Sequence, residues 1–118
     1  MADAGLFVGW GIPVRGREAK SLEVFNESVQ YWGQLQQDGK IEDFELALLT
    51  PHGGDLSGFA LLRGSEDQIS ALRNEDDFVR LTTRANLIVE GFGVVQAILG
   101  EALGTQMAIF QEQVSELT

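Results

Sequence analysis

The sequence predicts an α+β domain whose elements follow the order strand, helix, strand, strand, helix, strand, with one further helix at the C-terminus. Two observations support this prediction. The spacing of apolar residues alternates along the chain between a period of two, typical of strands, and a period of about 3.6, typical of helices. In the middle, two apolar runs flank the turn Pro51-His52-Gly53-Gly54-Asp55, which is the clearest hairpin signal in the chain.

Length and composition limit the possible classes of protein. A chain of 118 residues fits one domain, residues 1–118, with its core in residues 5–97 and the extra helix in 98–116. The absence of cysteine excludes a disulfide framework, a thiolate metal site and a cysteine nucleophile. A net charge of −10 disfavours nucleic acid and anionic membranes as partners. With no signal peptide and no apolar run near the ~20 residues of a membrane span, we expect a cytoplasmic protein.

The first strand and the first helix are predicted from the N-terminal third of the chain. Residues 6–14 are almost continuously apolar, so the strand is expected to be buried on both faces. Residues 21–38 form a helix that begins with Ser21 as N-cap and is followed by Gly39, which suits the left-handed residue after a helix. The apolar residues of this helix recur at spacings of three and four: Leu22, Phe25, Val29, Trp32 and Leu35.

The second half repeats the pattern. After the hairpin, Ser65 and Gln68 form a capping-box pattern that opens a second helix, and the polar run 74–77 breaks it in two. Residues 87–97 are predicted as the fourth strand, in which two glycines indicate a bend or a bulge. The C-terminal helix carries an apolar seam made of Leu99, Leu103, Met107, Phe110 and Val114.

The order of elements is that of a ferredoxin-like fold with an antiparallel sheet. Its helices cover one face of the sheet, yet the predicted strands are apolar on both faces. A second apolar face exposed to water would form a larger patch than soluble monomers tolerate. The sequence therefore predicts a homodimer in which two sheets pack face to face.

In its element order, strand character and size, the chain resembles the dimeric α/β-barrel superfamily over residues 5–97. This group includes antibiotic-biosynthesis-type monooxygenases, muconolactone-isomerase-like proteins and stress-responsive barrels. The resemblance implies a dimeric barrel. It matches no motif specific to one family, so it assigns no functional residue.

Three side chains are candidates for proton transfer. His52 is the only histidine, and Asp55 beside it could orient its imidazole as a general base or acid. Glu90 lies inside the predicted fourth strand, where burial in a barrel would raise its pKa. The alternative is that His52 and Asp55 are ordinary turn residues and that Glu90 faces water.

Two aromatic residues are candidates for ligand binding. Trp10 lies between two glycines of the first strand and Phe92 between two glycines of the fourth. A ring beside missing side chains can form a flat apolar wall for a ligand, and the same pattern also serves ordinary core packing. These glycine pairs lack the rest of a dinucleotide motif, and Gly53-Gly54 lacks the rest of a phosphate loop, so the sequence predicts no cofactor. One histidine cannot make a His-rich zinc site, and Asp76-Asp77 without further spaced acids is not a calcium loop, so it predicts no metal.

Two functional hypotheses follow. The first is a homodimeric barrel that binds a small apolar molecule between or within its subunits. The second is a cofactor-independent oxygenase or isomerase that uses His52 with a nearby carboxylate. A barrel filled by its own side chains is the structural alternative to both.

Overall fold

The computed structural model describes residues 2–118 and contains four strands and four helices. The elements are β1 (Ala4–Trp10), α1 (Glu18–Gln37), β2 (Asp43–Leu48), β3 (Gly58–Gly64), α2 (Glu66–Arg73), α3 (Asp76–Asn86), β4 (Gly93–Ile98) and α4 (Gly100–Leu117). Helix α2 follows directly from β3 and is separated from α3 by a short break, and α4 follows directly from β4.

The strands form one sheet in the order β2-β3-β1-β4, and every neighbouring pair is antiparallel. The central strand β1 pairs on both sides, so that Leu6 lies opposite Leu62 of β3 and Gln96 of β4. This topology is the ferredoxin-like fold, and the predicted fold class is confirmed.

The core lies between one face of the sheet and helices α1, α2 and α3. Alternate residues of β1 and β3 point into it, and Leu6 and Leu62 are completely buried. The helices contribute side chains that recur at helical spacing. The buried core consists of Ala4, Leu6, Val8, Trp32, Leu35, Ile41, Ala60, Leu62, Ile69, Leu72 and Phe78.

The bounds of helix α1 differ from the prediction at the N-terminus. The helix begins at Glu18, one turn earlier than predicted, and Ser21 lies inside it rather than at the cap. The Glu18 carboxylate accepts a hydrogen bond from the Gly16 amide at 3.1 Å, which ties the preceding turn to the helix. Arg17 takes the N-cap position, and the Ser21 amide donates to the Arg17 carbonyl at 2.8 Å, so Ser21 lies in the first turn of the helix. At the other end, Gly39 has φ of +75°, as predicted.

The capping box and the broken second helix are confirmed. The Ser65 hydroxyl accepts from the Gln68 amide at 3.2 Å, and the Gln68 side chain accepts from the Ser65 amide at 2.8 Å. Two unpaired helix donors are satisfied in this way. Helix α2 ends at Arg73 because the chain becomes extended at Glu75, which then serves as N-cap of α3.

The predicted fourth strand is wrong in its first half. Strand β4 begins only at Gly93, and residues 88–90 pair instead with the segment that follows β1. The backbone carbonyl of Glu90 accepts from the Gly11 amide at 2.6 Å, and its backbone amide donates to the Ile12 carbonyl at 2.9 Å. Gly91, with φ of +61°, then turns the chain into β4. Glu90 therefore lies in an exposed loop and not in the middle of a strand.

The other face of the sheet, called the open face below, lies opposite to helices α1–α3. Its centre is the ring of Phe7 stacked on the ring of Phe59, with centroids 5.1 Å apart. Val95 of the edge strand β4 is 56% exposed on this face. By strand alternation, the apolar side chains of the open face are Phe7, Ala47, Phe59, Leu61, Val95 and Ala97.

Helix α4 extends away from the domain. Within residues 100–117, all of which the structure describes, no side chain is buried. The radius of gyration is 16.2 Å, whereas a compact domain of this length has about 13.5 Å. Among residues 2–118, no helix combines the length and the apolar character that a membrane crossing requires.

Tyr31 of α1 carries an enclosed hydroxyl that has no hydrogen-bond partner among residues 2–118. Burial, together with the negative charges of Glu75 and Asp77, raises the pKa of Tyr31 to about 12. Both causes act in the same direction, because each disfavours the phenolate.

Titration of Tyr31 provides a direct test of this packing. It is the only tyrosine, so tyrosinate absorbance reports on it alone. We expect a midpoint of about 12 in the native protein and of about 10 in concentrated urea. Since the unfolded state loses the proton first, the free energy of unfolding should fall between about pH 10 and the native pKa. The Tyr31→Phe variant should lose less stability over that interval, and an equal loss in both proteins would contradict this packing.

Candidate ligand pocket

A cavity of about 180 Å³ lies within the single chain, between helices α1 and α3 and the helix-covered face of the sheet. It is partly open to solvent and is lined mainly by aromatic and aliphatic side chains. The aromatic lining consists of Trp10, Phe25, Trp32, Phe78 and Phe92. The aliphatic side chains around them include Val8, Val24, Leu48, Leu81, Ala85, Ile88 and Val89.

Backbone pairing beyond the end of β1 encloses one end of the cavity. The Trp10 carbonyl accepts from the Ser57 amide at 2.8 Å, and residues 11–14 pair with 88–90. Trp10 then packs edge-on against Phe25 of α1, with centroids 6.0 Å apart and planes at 72°. These contacts keep the end of β1 apart from the first half of α1, and the space between them is part of the cavity.

The cavity interior is close to apolar. Four hydroxyl side chains line it, but Ser28 donates to the Val24 carbonyl at 2.7 Å and Thr82 to the Val79 carbonyl at 3.2 Å. Only the hydroxyls of Ser21 and Ser57 make no hydrogen bond to another described residue. Among residues 2–118, none that lines the cavity is charged.

The rim of the cavity carries exposed apolar side chains. Ile12 is 61% and Leu48 69% exposed, and both line the cavity. A shallow depression beside it shares Pro13, Ser21, Phe25 and Leu48 with the cavity and adds Leu22 and Glu18 of α1. An apolar molecule approaching from solvent would therefore meet a mainly apolar surface before it entered, with the Glu18 carboxylate as the one charged group of the depression.

Both aromatic residues proposed as ligand contacts line the cavity. Trp10 lies at the end of β1, and Phe92 lies in the turn before β4. The ladder between β1 and β4, whose last pair joins Gly9 to Gly93, brings the two rings to one site. Their role in binding remains a prediction.

The three residues proposed for proton transfer lie outside the cavity. The ring of His52 is exposed; its Nε2 lies 2.8 Å from the Leu56 carbonyl, and its Nδ1 accepts from the Gly54 amide at 3.2 Å. These partners correspond to the neutral ring with its proton on Nε2. Asp55 is three residues away, but the imidazole bonds to the backbone of its own loop. Glu90 is exposed in the loop before β4, so the structure does not bring the three together.

The helical spacing of the apolar side chains of α1 predicts core packing for them and does not indicate that some of them line a cavity. One available signal was Ser28, which lies one helical turn from both Val24 and Trp32 on the buried face. A small polar residue in the middle of an apolar helix face leaves space for another group. The α3 contribution, Leu81 and Ala85, has no comparable signal because its spacing is that of any amphipathic helix.

Metal binding has no candidate group of side chains. Within residues 2–118, no three histidine, aspartate or glutamate side chains lie close enough together to hold an ion.

Comparison with known proteins identifies the fold and not a family. No protein-family model matches the chain, and no curated protein matches it in sequence. Solved structures do match it. One is a dimeric ferredoxin-like protein of unknown function from Bacteroides fragilis, with a TM-score of 0.57 and 14% identity over 82% of this chain and 97% of that chain.

Two further structures share the fold. A dimeric ferredoxin-like protein of unknown function from Jannaschia has a TM-score of 0.62 and 9% identity, covering 82% of this chain and 98% of that one. SnoaB, a cofactor-independent oxygenase from Streptomyces nogalater, has a TM-score of 0.52 and 16% identity, covering 84% and 93%. The chain thus has a ferredoxin-like fold that it shares with two dimeric proteins of unknown function and with an oxygenase.

A pair of glycine substitutions tests the backbone contact that closes the cavity. A Cβ at Gly11 would lie 2.6 Å from the Glu90 carbonyl oxygen, whereas a Cβ at Gly33 in α1 meets nothing within 4 Å. We expect Gly11→Ala to lower the free energy of unfolding by about 1–3 kcal/mol through overpacking. Gly33→Ala should raise it by about 0.5–1 kcal/mol through helix propensity.

Urea denaturation followed by far-ultraviolet circular dichroism measures both variants. The two substitutions add the same methyl group, so their opposite signs isolate the contact at Gly11. A Gly11→Ala variant as stable as the parent would show that the 11–14 and 88–90 segments do not approach this closely.

Proposed function

We propose that this chain is a homodimeric binding protein that holds a small apolar molecule in the cavity of each subunit. The observation that carries the proposal is the lining of the cavity, in which aromatic and aliphatic side chains enclose a space without a charged group. Such a space is favourable for an apolar molecule because binding removes its surface and that of the protein from water.

The size of the cavity limits the ligand. An apolar cavity of about 150 Å³ in another protein accepts benzene, and the pockets of drug-sized ligands measure about 300–1,000 Å³. A volume of about 180 Å³ therefore suits a molecule of one or two rings, or an aliphatic molecule of similar bulk. The aromatic walls at Trp10, Phe25 and Phe92 favour a flat ring, which can stack or pack edge-on against them.

The chemistry of the lining also limits the charge of the ligand. A charged group buried here would lose its hydration without an opposite charge to replace it. One neutral polar group is acceptable, because the hydroxyls of Ser21 and Ser57 are available to hydrogen-bond with it. The expected ligand is an uncharged, largely apolar molecule with at most a hydroxyl or carbonyl group.

The alternative function, a cofactor-independent oxygenase or isomerase, has weaker support. SnoaB has this activity and shares the fold, but 16% identity carries no residue over to this chain. His52, Asp55 and Glu90 lie outside the cavity, so a molecule bound there would have no titratable group beside it. Binding is the function that this geometry favours.

Dimerisation follows from the open face. The chain exposes 7,655 Å², whereas a compact monomer of its mass exposes about 6,300 Å². The excess of roughly 1,300 Å² per chain, to which both the open face and the projecting helix α4 contribute, exceeds the ~800 Å² that each partner buries in a standard interface. Two of the structures that share the fold are dimeric. Packing two open faces together would bury Phe7, Phe59 and Leu61 and form the barrel.

Binding can be measured through the two tryptophans, since both line the cavity and the chain has no others. The probe is 1-aminonaphthalene, a neutral two-ring molecule whose absorption overlaps tryptophan emission. We expect its binding to quench the tryptophans and to increase its own emission. The Ala85→Phe variant, which fills the cavity, should weaken binding at least about tenfold.

Two controls make the binding test specific. Ala71→Phe adds the same bulk at an exposed position of α2 and should bind as the parent does. The charged analogue 1-aminonaphthalene-4-sulfonate should bind much more weakly than the neutral probe. Equal binding by Ala85→Phe and the parent, or equal binding of the two probes, would overturn the proposed site.

The dimer is tested by charge on the open face. Val95→Glu places a carboxylate in the proposed interface twice, once per subunit, so the dissociation constant should rise at least about a hundredfold. Val79→Glu is the matched control, because Val79 is similarly exposed but lies on α3. Sedimentation velocity at micromolar concentration should show a dimer for the parent and the control. A monomeric parent protein would refute the dimer.

A further inference from the structure

We propose that α4 is an arm that packs on a second copy of this chain. The contact would be made by the apolar seam of α4, which in the structure excludes Leu99, the residue before the helix, and includes Leu117 at its end. From here on the seam consists of Leu103, Met107, Phe110, Val114 and Leu117. The proposal rests on the dimer proposed above and adds to it a second contact region, outside the sheets.

The spacing of the seam is that of a helix that packs on another surface. Its members are separated by four, three, four and three residues, which places all of them within a narrow stripe on one side of the helix. Each of them is exposed in the single chain, with fractions from 46% for Val114 to 84% for Leu117. An apolar stripe of this length is normally covered.

The distribution of charge suits a second copy of the same acidic chain. At about 100° per residue, Glu101, Glu112 and Glu116 lie on the side of α4 opposite to the seam. The positions beside the seam are uncharged: Gly104, Gln106, Gln111 and Gln113. A protein with a net charge of −10 can therefore bring this helix against its own copy without placing like charges in contact.

The start of α4 is continuous with the open face. The Leu99 amide donates to the Asp3 carbonyl at 3.0 Å, so the residue before α4 is held at the start of β1. A Cβ at Gly5 would meet the Leu99 side chain at 2.9 Å, and Gly5 points to the same face as Phe7. Leu99 thus lies on the open face, and the helix leaves the subunit from the surface where the partner is proposed to sit.

The length of the helix is sufficient for this contact. Its 18 residues span about 27 Å. The shortest dimension of the molecule is 23 Å, so the helix is long enough to reach across a second copy in that direction. In proteins, most of the stability of a helix comes from the packing of its apolar face and not from the propensity of its residues. Packing the seam on a partner would supply the apolar burial that the single chain does not provide.

Cross-linking tests the contact directly, since the chain has no cysteine of its own. Met107→Cys places a single thiol in the seam, and Glu112→Cys places one on the opposite side of α4 as the matched control. Each variant is labelled with a maleimide-benzophenone, mixed with ¹⁵N-labelled parent protein, exchanged and irradiated. Mass spectrometry then separates links within one chain from links to the labelled copy.

We expect position 107 to give at least about five times more links to the labelled copy than position 112. Links only within the same chain, or equal yields at both positions, would overturn the arm. Two unlabelled variants test the same contact without the cross-linker, which could itself alter the packing of α4. Phe110→Ser should raise the dissociation constant of the dimer at least about tenfold, and Glu112→Ser should leave it unchanged.

The outcomes separate this inference from the proposed dimer. If sedimentation shows a dimer that Val95→Glu dissociates, but Phe110→Ser has no effect and position 107 gives no links to the second copy, the arm is refuted and the dimer remains. If the parent protein is a monomer, both are refuted.

Discussion

A sheet has two faces, and helices α1–α3 pack on only one of them. The side chains of β1 and β3 on that face are fully enclosed, with Leu6 and Leu62 opposite one another at the centre. The residues between them necessarily point the other way, because strand side chains alternate. Phe7 and Phe59 therefore stack on a face that the helices do not reach. The proposed dimer follows from this one-sided packing.

The position of the cavity depends on the same arrangement. Helix α1 must cross the sheet to connect β1 with β2, and near its N-terminal half it meets the sheet where β1 ends. Trp10 and Phe25 hold the two apart, and the short side chain of Ser28 does not fill the space between them. Because the cavity lies on the helix-covered face, the proposed ligand site and the proposed dimer surface are on opposite sides of the sheet.

Local features were predicted well from the sequence, and features that depend on distant contacts were not. The capping box at Ser65 involves residues three apart, so local sequence is sufficient to specify it. The position of Glu90 depends on a contact that is distant in sequence. Its backbone carbonyl accepts from the Gly11 amide, and residues 88–90 therefore pair with the segment after β1 and do not continue into β4. His52 and Asp55 are the exception among local features: although they are close in sequence, the ring bonds to the carbonyl of Leu56, four residues away, and not to the Asp55 carboxylate.

The sequence by itself determined the fold class, the two apolar faces of the sheet and the seam of the last helix, since these depend on periodicities that each segment carries alone. Only the tertiary structure decided which aromatic residues share a cavity. Trp10 and Phe92 are distant in the chain and meet because β1 and β4 pair, while α1 and α3 supply the opposite wall. A cavity is the space left by elements that pack imperfectly, and that space depends on the distances between all of them at once.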